Sequence, residues 1–398
     1  MGKNLSKYLQ NLKILHIFVM SSTSTTASPS LPSTTASTTL SSTILLSNGQ
    51  RIPKVGFGTW RCDVTLLEGA LVEALRLGYR HIDTGPYKNE AIVGAAIRRA
   101  ISLGYIASRG ELWLTGKLPT TCMEPAAVEP TLRALLTELG TDYLDLYMTH
   151  WPYALDPASS ASPPLPECRR GYSAAAYLAT WRALEACCEA GLARSLGASN
   201  MTACKLSALL AQARIPPVVV QNELHPALAQ PQLLAYASAH GILLSGYSPL
   251  GSPGRPQLYR SPGDPDILSH PALLACAARC ARTPAQVALR WAVQRGTLPL
   301  PRTTTLARVA ENWEGASEAW ELSEADMAEL AGVDATKGSV GRIMKGVSGR
   351  SAGRGAHALL LSSPFLSHTH THSLSLSHMA CAGQLCAPLH ARLARRVG

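Results

Sequence analysis

The feature that most constrains this chain is a regular alternation of short apolar runs with longer amphipathic stretches across residues 44–336. Strand-like runs occupy 80–83, 112–117, 143–150, 195–199, 218–223, 242–247 and 298–302. Between them, apolar residues recur at helical spacing over 66–77, 91–102, 125–139, 174–190, 205–213, 231–240 and 284–295. Strands separated by helices cannot pair as hairpins, so the pattern implies a parallel sheet covered by helices. Seven such units, with an eighth expected near 312–322, predict an α/β fold of the closed (β/α)8 TIM barrel type. Asn48-Gly49 ahead of the first unit is a hairpin turn signal, and the hairpin is expected to plug one end of the barrel.

Polar residues fall in step with the strands. Asp83, Lys117, His150, Ser199-Asn200, Gln221, Tyr247-Ser248 and Arg302-Thr303 all stand at the C-terminal ends of successive runs. A barrel brings those ends to one mouth, where it carries its chemistry. One polar strand end is an ordinary loop anchor; seven in register predict a site.

The chain has 398 residues, 46% hydrophobic and 16% charged, enough for one large domain with a substantial core. No apolar run approaches the length of a membrane helix, and none is expected to span. The net charge of +10 is unevenly placed: residues 1–62 hold six Lys/Arg and no acid, residues 337–398 hold eight and no acid, and the middle is net acidic. The basic excess therefore lies outside the patterned region and argues against a nucleic-acid partner. The ten Cys form no Cys-x-x-Cys and are read as reduced thiols.

Three segments follow. Residues 1–43 are expected to be disordered, since 17 of the 23 residues in 21–43 are Ser or Thr. Lys3, Lys7 and Lys13 without an acid give this stretch the composition of a transit peptide. A plain polar tail, or an upstream extension with initiation at Met20, fits as well. The Met1-Gly2 start also matches the loose N-myristoylation pattern. The expected compartment is the cytoplasm, or an organelle if the segment is a transit peptide. Residues 44–346 form the barrel domain. Residues 347–398 are a low-complexity basic tail in which His368, His370 and His372 alternate with Thr. In a strand they would share one face; the reading favoured here is coil, with no metal expected.

Within the barrel region the motifs run in order. They are Gly56-Phe57-Gly58-Thr59-Trp60, Gly78-Tyr79-Arg80-His81-Ile82-Asp83-Thr84, Tyr87-Lys88-Asn89-Glu90, Leu114-Thr115-Gly116-Lys117-Leu118 and Asp145-Leu146-Tyr147-Met148-Thr149-His150-Trp151-Pro152. They continue as Gly197-Ala198-Ser199-Asn200, Gln221-Asn222-Glu223-Leu224-His225-Pro226 and Tyr247-Ser248-Pro249-Leu250-Gly251-Ser252. Together they resemble the aldo-keto reductase family over about residues 44–346.

The resemblance implies a catalytic tetrad of Asp83, Tyr87, Lys117 and His150. Reducing a carbonyl leaves charge on oxygen, and a placed acid must supply a proton. Free phenol, with a pKa of about 10, gives it reluctantly. A neighbouring Lys117 ammonium is expected to lower that pKa, with Asp83 holding the lysine and His150 orienting the substrate oxygen. NADPH/NADP+ is the implied cofactor. Gly56-x-Gly58 lacks the third glycine of a dinucleotide-binding Rossmann turn, so binding would run across the barrel mouth instead. Ser199, Asn200 and Gln221 would hold the carboxamide, Tyr247 would stack on the nicotinamide, and Ser248, Leu250 and Ser252 would meet the pyrophosphate. Arg302, Thr303, Arg308, Glu311 and Asn312 would take the adenosine end, with the two arginines on the 2′-phosphate. Thr59 joins the cofactor set, and Trp60 and Trp151 would line the substrate pocket beside His150.

The expected activity is NADPH-dependent reduction of aldehydes, aldoses among them, by a monomer acting on small carbonyl substrates: an alcohol dehydrogenase (NADP+)-type oxidoreductase. Two departures stand against the family pattern. Three residues rather than four separate Asp83 from Tyr87, and the match fades after Gly346. The shortened loop keeps a second reading open, a catalytically silent NADP-binding barrel serving as a redox sensor or scaffold.

Overall fold

The structure, a computed structural model, describes residues 42–157, 169–255 and 266–335. The segments 1–41 and 336–398, and with them the expected leader and the His-containing tail, lie outside the described residues.

A hairpin comes first. β1 (Thr43–Leu45) and β2 (Arg51–Pro53) pair antiparallel around Asn48-Gly49, where Gly49 takes φ 82°, a left-handed conformation that favours glycine. Ile52 is fully buried with Trp113, Leu146, Val219, Leu243 and Leu298, the first residues of five barrel strands. The hairpin thus closes the N-terminal end of the barrel.

The barrel strands are β3 (Phe57–Gly58), β4 (His81–Asp83), β5 (Trp113–Leu118), β6 (Leu146–Thr149), β9 (Leu196–Ser199), β10 (Val219–Glu223), β11 (Leu243–Tyr247) and β12 (Leu298–Leu300), parallel and in that spatial order. A small ribbon, β7 (Ala154–Leu155) with β8 (Arg169–Arg170), pairs apart from them. Gly56 and Gly58 donate their N–H groups to the carbonyls of Pro299 and Pro301, at 3.2 and 3.0 Å, and so join the two ends of the sheet. Prolines accept but cannot donate, so the closing bonds at this seam run one way.

Helices α1 (Val64–Leu77), α2 (Glu90–Ser102), α3 (Pro125–Leu139), α4 (Ala174–Glu189), α5 (Ala203–Leu210), α6 (Pro231–Ala239), α7 (Pro271–Cys280), α8 (Pro284–Gln294), α9 (Leu306–Ala316) and α10 (Glu324–Ala335) cover the barrel. Their ends are set locally. Asp63 caps α1 through the Thr65 N–H, Gly78 stops it at φ 111°, and Thr283 with Gln286 forms a full capping box on α8. Leu67, Leu71, Leu114, Leu132, Trp181, Leu206 and Val220 fill the layer between helices and sheet.

The eighth unit is not where periodicity placed it. Residues 312–322 are the end of α9 and the turn after it, and the missing strand is the first, Phe57–Gly58. Two residues, both buried, have no alternation to read, and glycine ordinarily marks a break in a strand. Along β4 and β5 the inward residues alternate, so a His81–Thr115 layer lies directly beneath an Asp83–Lys117 layer at the mouth.

Candidate active site

Asp83 and Lys117 end adjacent strands and are 5% and 2% exposed. Lys117 Nζ donates to Asp83 Oδ1 at 2.5 Å and to the Thr84 carbonyl at 3.0 Å. Two charges this far from water persist only when paired and hydrogen-bonded. Burial pulls the Lys117 ammonium below its ordinary pKa, and the Asp83 carboxylate opposes that.

Tyr87 and His150 lie beside the pair. Their rings meet edge-to-face at 5.9 Å, and Lys117 Nζ is 5.8 Å from the Tyr87 ring. The Tyr87 hydroxyl makes no hydrogen bond to Lys117, whose ammonium is taken by Asp83 and the Thr84 carbonyl, or to His150. The short loop explains this. The Tyr87 N–H donates to the Gly85 carbonyl at 2.7 Å in a tight three-residue turn, and the ring folds back over Gly85. Glu90, at the start of α2, accepts the N–H groups of Tyr87 and Lys88 and fixes the turn from its far side. The expected lowering of the phenol pKa is also overturned. Burial, then the negative charges of Asp83 and Glu90, hold it well above 10. Lys117 spends its field on Asp83. Burial and the Lys117 charge push the His150 imidazole down to about 3, so it is neutral.

One cavity of about 1360 Å³ opens over this floor. It gathers Asp83, Tyr87, His150, Ser199, Asn200, Gln221, Tyr247, Ser248, Leu250, Ser252, Arg302, Thr303, Arg308, Glu311 and Asn312, with Trp60 and Trp151 on its wall. Lys117 lies under the floor rather than on it. Thr59 is also outside the lining: it is fully buried, and its hydroxyl donates to the Asp83 carbonyl at 3.1 Å. Its place is behind the strand end, not in the cavity. Asn200 is anchored to the His150 carbonyl at 2.9 Å and accepts the Tyr247 hydroxyl at 2.8 Å. Gln221 donates to Asp83 Oδ2 at 2.8 Å. Arg302 donates to the Arg61 carbonyl at 3.0 Å and lies 6.0 Å from the Trp60 ring, whereas Arg308 stands exposed on the first turn of α9.

Sequence reading missed part of the wall: Pro119, Thr120 and Thr121 after β5, and Tyr153 and Leu155 after His150. Trp151 and Tyr153 form an aromatic pair at 5.7 Å, and their spacing of two after a strand end was the available signal.

The donor set fits an extended dinucleotide. Amide and hydroxyl groups cluster at one end. Ser248, Gly251 and Ser252 all take positive φ, which curls the next loop around the cavity edge. At the other end Thr305 starts α9 with no side-chain cap, and Arg308 stands on that first turn, an arrangement suited to phosphate. Among the described residues, one further group of potential metal ligands exists, Cys276, Cys280 and Asp326, but Arg279 and Ser323 already occupy that carboxylate. All seven cysteines in the described residues are free.

The fold and site together define a (β/α)8 barrel with an acid–base cluster at its C-terminal mouth, under a cavity roomy enough for a dinucleotide. The sequence profile of the Aldo/keto reductase family matches residues 54–335. An aldo/keto reductase of Synechocystis is 41% identical over 294 residues, covering 73% of this chain and 88% of that protein. Aldo-keto reductase family 1 member A1 of Bos taurus is 42% identical over 272 residues, covering 68% and 83%. The structure of a Bombyx mori aldo-keto reductase in complex with NADP superposes with a TM-score of 0.65 at 31% identity, covering 74% of this chain and 93% of that one. The chain belongs to the aldo/keto reductase family, NADP(H)-dependent oxidoreductases of small carbonyl compounds. Among the described residues no helix is long and apolar enough to cross a membrane.

Proposed function

We propose that the chain reduces aldehydes to primary alcohols with NADPH, and that Tyr87 gives the proton. The observation that carries this reading is the buried Asp83–Lys117 pair set beside Tyr87 and His150 on the floor of one cavity. Ser199, Asn200 and Gln221 would hold the carboxamide of the cofactor, Ser248, Leu250 and Ser252 its pyrophosphate, and Arg308 with Arg302 its 2′-phosphate. NADPH, when bound, supplies the hydride. The neutral His150 can donate a hydrogen bond to a carbonyl oxygen. The Tyr87 phenol, held protonated, keeps its proton until the substrate oxygen becomes an alkoxide, a far stronger base than phenolate. Lys117 then faces the new phenolate with its charge anchored by Asp83. Trp60, Trp151 and Tyr153 offer an aromatic wall that suits aryl and alkyl aldehydes.

A second reading, the silent NADP-binding barrel, draws on the Tyr87 hydroxyl lying against Gly85 with no bond to Lys117 or His150. NADPH oxidation with an aromatic aldehyde and with the matching methyl ketone separates the two. The proposal expects turnover at least tenfold faster with the aldehyde. NADPH binding without turnover of either compound supports the silent barrel.

A further inference from the structure

Gln221 lines the cavity, and its side chain reaches the Asp83–Lys117 pair. Its Nε2 donates to Asp83 Oδ2 at 2.8 Å, while the other oxygen, Oδ1, takes Lys117. Each oxygen of that carboxylate therefore has one dedicated donor, and both donors are buried. Gln221 is itself pinned. Its carbonyl accepts the Ser199 hydroxyl at 2.7 Å and the Asn200 N–H at 2.9 Å, so the strand end that presents the amide has no room to drift. A carboxylate bonded only through Oδ1 could turn about its Cβ–Cγ bond; one bonded through both oxygens cannot. We propose that Gln221 is a positioning residue for proton donation, fixing the Asp83 carboxylate in the orientation on which the Lys117 charge depends. This goes beyond a contact to the cofactor carboxamide, and it links the carboxamide end of the cavity to the acid–base cluster.

Several other titratable groups face the pair. His81 lies below it and His150 and Tyr87 beside it, and Tyr247 and Glu90 act on Tyr87. Both imidazoles are pushed down to about 3 and are neutral at working pH. The Tyr87 phenol stays protonated, and Glu90 is held on the N–H groups of its own loop. Lys117 is thus the group that loses charge as pH rises.

The test titrates Lys117 in the cofactor-free protein by its 13Cε shift, assigned through its absence in Lys117→Met. It also follows the alkaline limb of aldehyde reduction. In Gln221→Leu the carboxylate loses its second bond and holds Lys117 less well. The Lys117 midpoint should fall by about one pH unit, and the alkaline limb should move down with it. If Gln221 serves only the cofactor, Gln221→Leu weakens NADPH binding and leaves the Lys117 midpoint at its wild-type value, which overturns the proposal. The kinetic arm rests on the proton-donor reading above. The titration arm does not, so failure of Tyr87 as the acid would leave it standing.

Discussion

The Tyr87 ring lies over Gly85, two residues back in the same loop, so closely that a Cβ on Gly85 would sit 2.7 Å from Cζ and 2.9 Å from the phenol oxygen. Glycine is needed at 85 for space rather than for a positive φ. Gly85→Ala should therefore leave the backbone intact and push the ring off its seat by about 1 Å, enough to cost roughly ten- to a hundredfold in kcat. NADPH affinity should stay within about twofold, because Gly85 is not part of the cavity lining. Steady-state kinetics with fluorescence titration of NADPH checks both halves, and an unchanged kcat would show that the ring position does not matter.

Cofactor choice should rest more on Arg308 than on Arg302. Arg302 already donates to the Arg61 carbonyl, while Arg308 is exposed beside the uncapped start of α9. Charge-assisted bonds to phosphate are worth about 1.5–3 kcal/mol. Arg308→Ala should weaken NADPH by about that amount and NADH by little, and Arg302→Ala should weaken NADPH less. Dissociation constants for the two cofactors decide the matter; equal losses for NADPH and NADH in Arg308→Ala would count against the assignment.

Acid should destabilise this fold through two imidazoles held low, those of buried His81 and half-buried His150. His81 and His150 are held near 3, against 6.5 in an unfolded chain. Below pH 6.5 the unfolded chain therefore takes up protons that the folded one refuses. Stability is full above about 6.5 and falls as pH drops toward 3, by at most about 1.4 kcal/mol per pH unit for each histidine. His81 sits under the Asp83–Lys117 layer with Nδ1 unpartnered. Urea unfolding of His81→Gln between pH 7 and 4.5 should show a shallower loss than the wild type, and identical slopes would refute this origin.

Seven of the eight strands and most of the mouth were legible because each strand end carries a polar residue after an apolar run, and position in the chain then fixes position around the barrel. What stayed hidden needed the fold itself. Phe57–Gly58 is too short to show a period, and α7 and α10 lie beyond the strand–helix rhythm that made the other helices readable. Thr59 sits among cofactor-type motifs yet is turned inward, a matter of which way a side chain faces after a two-residue strand. The Gln221–Asp83 bond joins residues 138 positions apart, and no local pattern announces it. The short Asp83–Tyr87 loop was visible as a departure, but its result, a phenol seated on Gly85 instead of bonded to Lys117, depends on backbone geometry that spacing does not carry.

The central claim is that Tyr87 delivers the proton, and single-turnover reduction of an aldehyde by Tyr87→Phe tests it most directly. Loss of one hydroxyl leaves the ring, the Asp83–Lys117 pair and the cavity in place, so NADPH should bind the variant with near wild-type affinity. General acid catalysis is worth about 10²- to 10⁴-fold, and reduction should fall by at least that lower figure across the pH range. Full single-turnover reduction by Tyr87→Phe, with NADPH bound as in the wild type, would contradict the account.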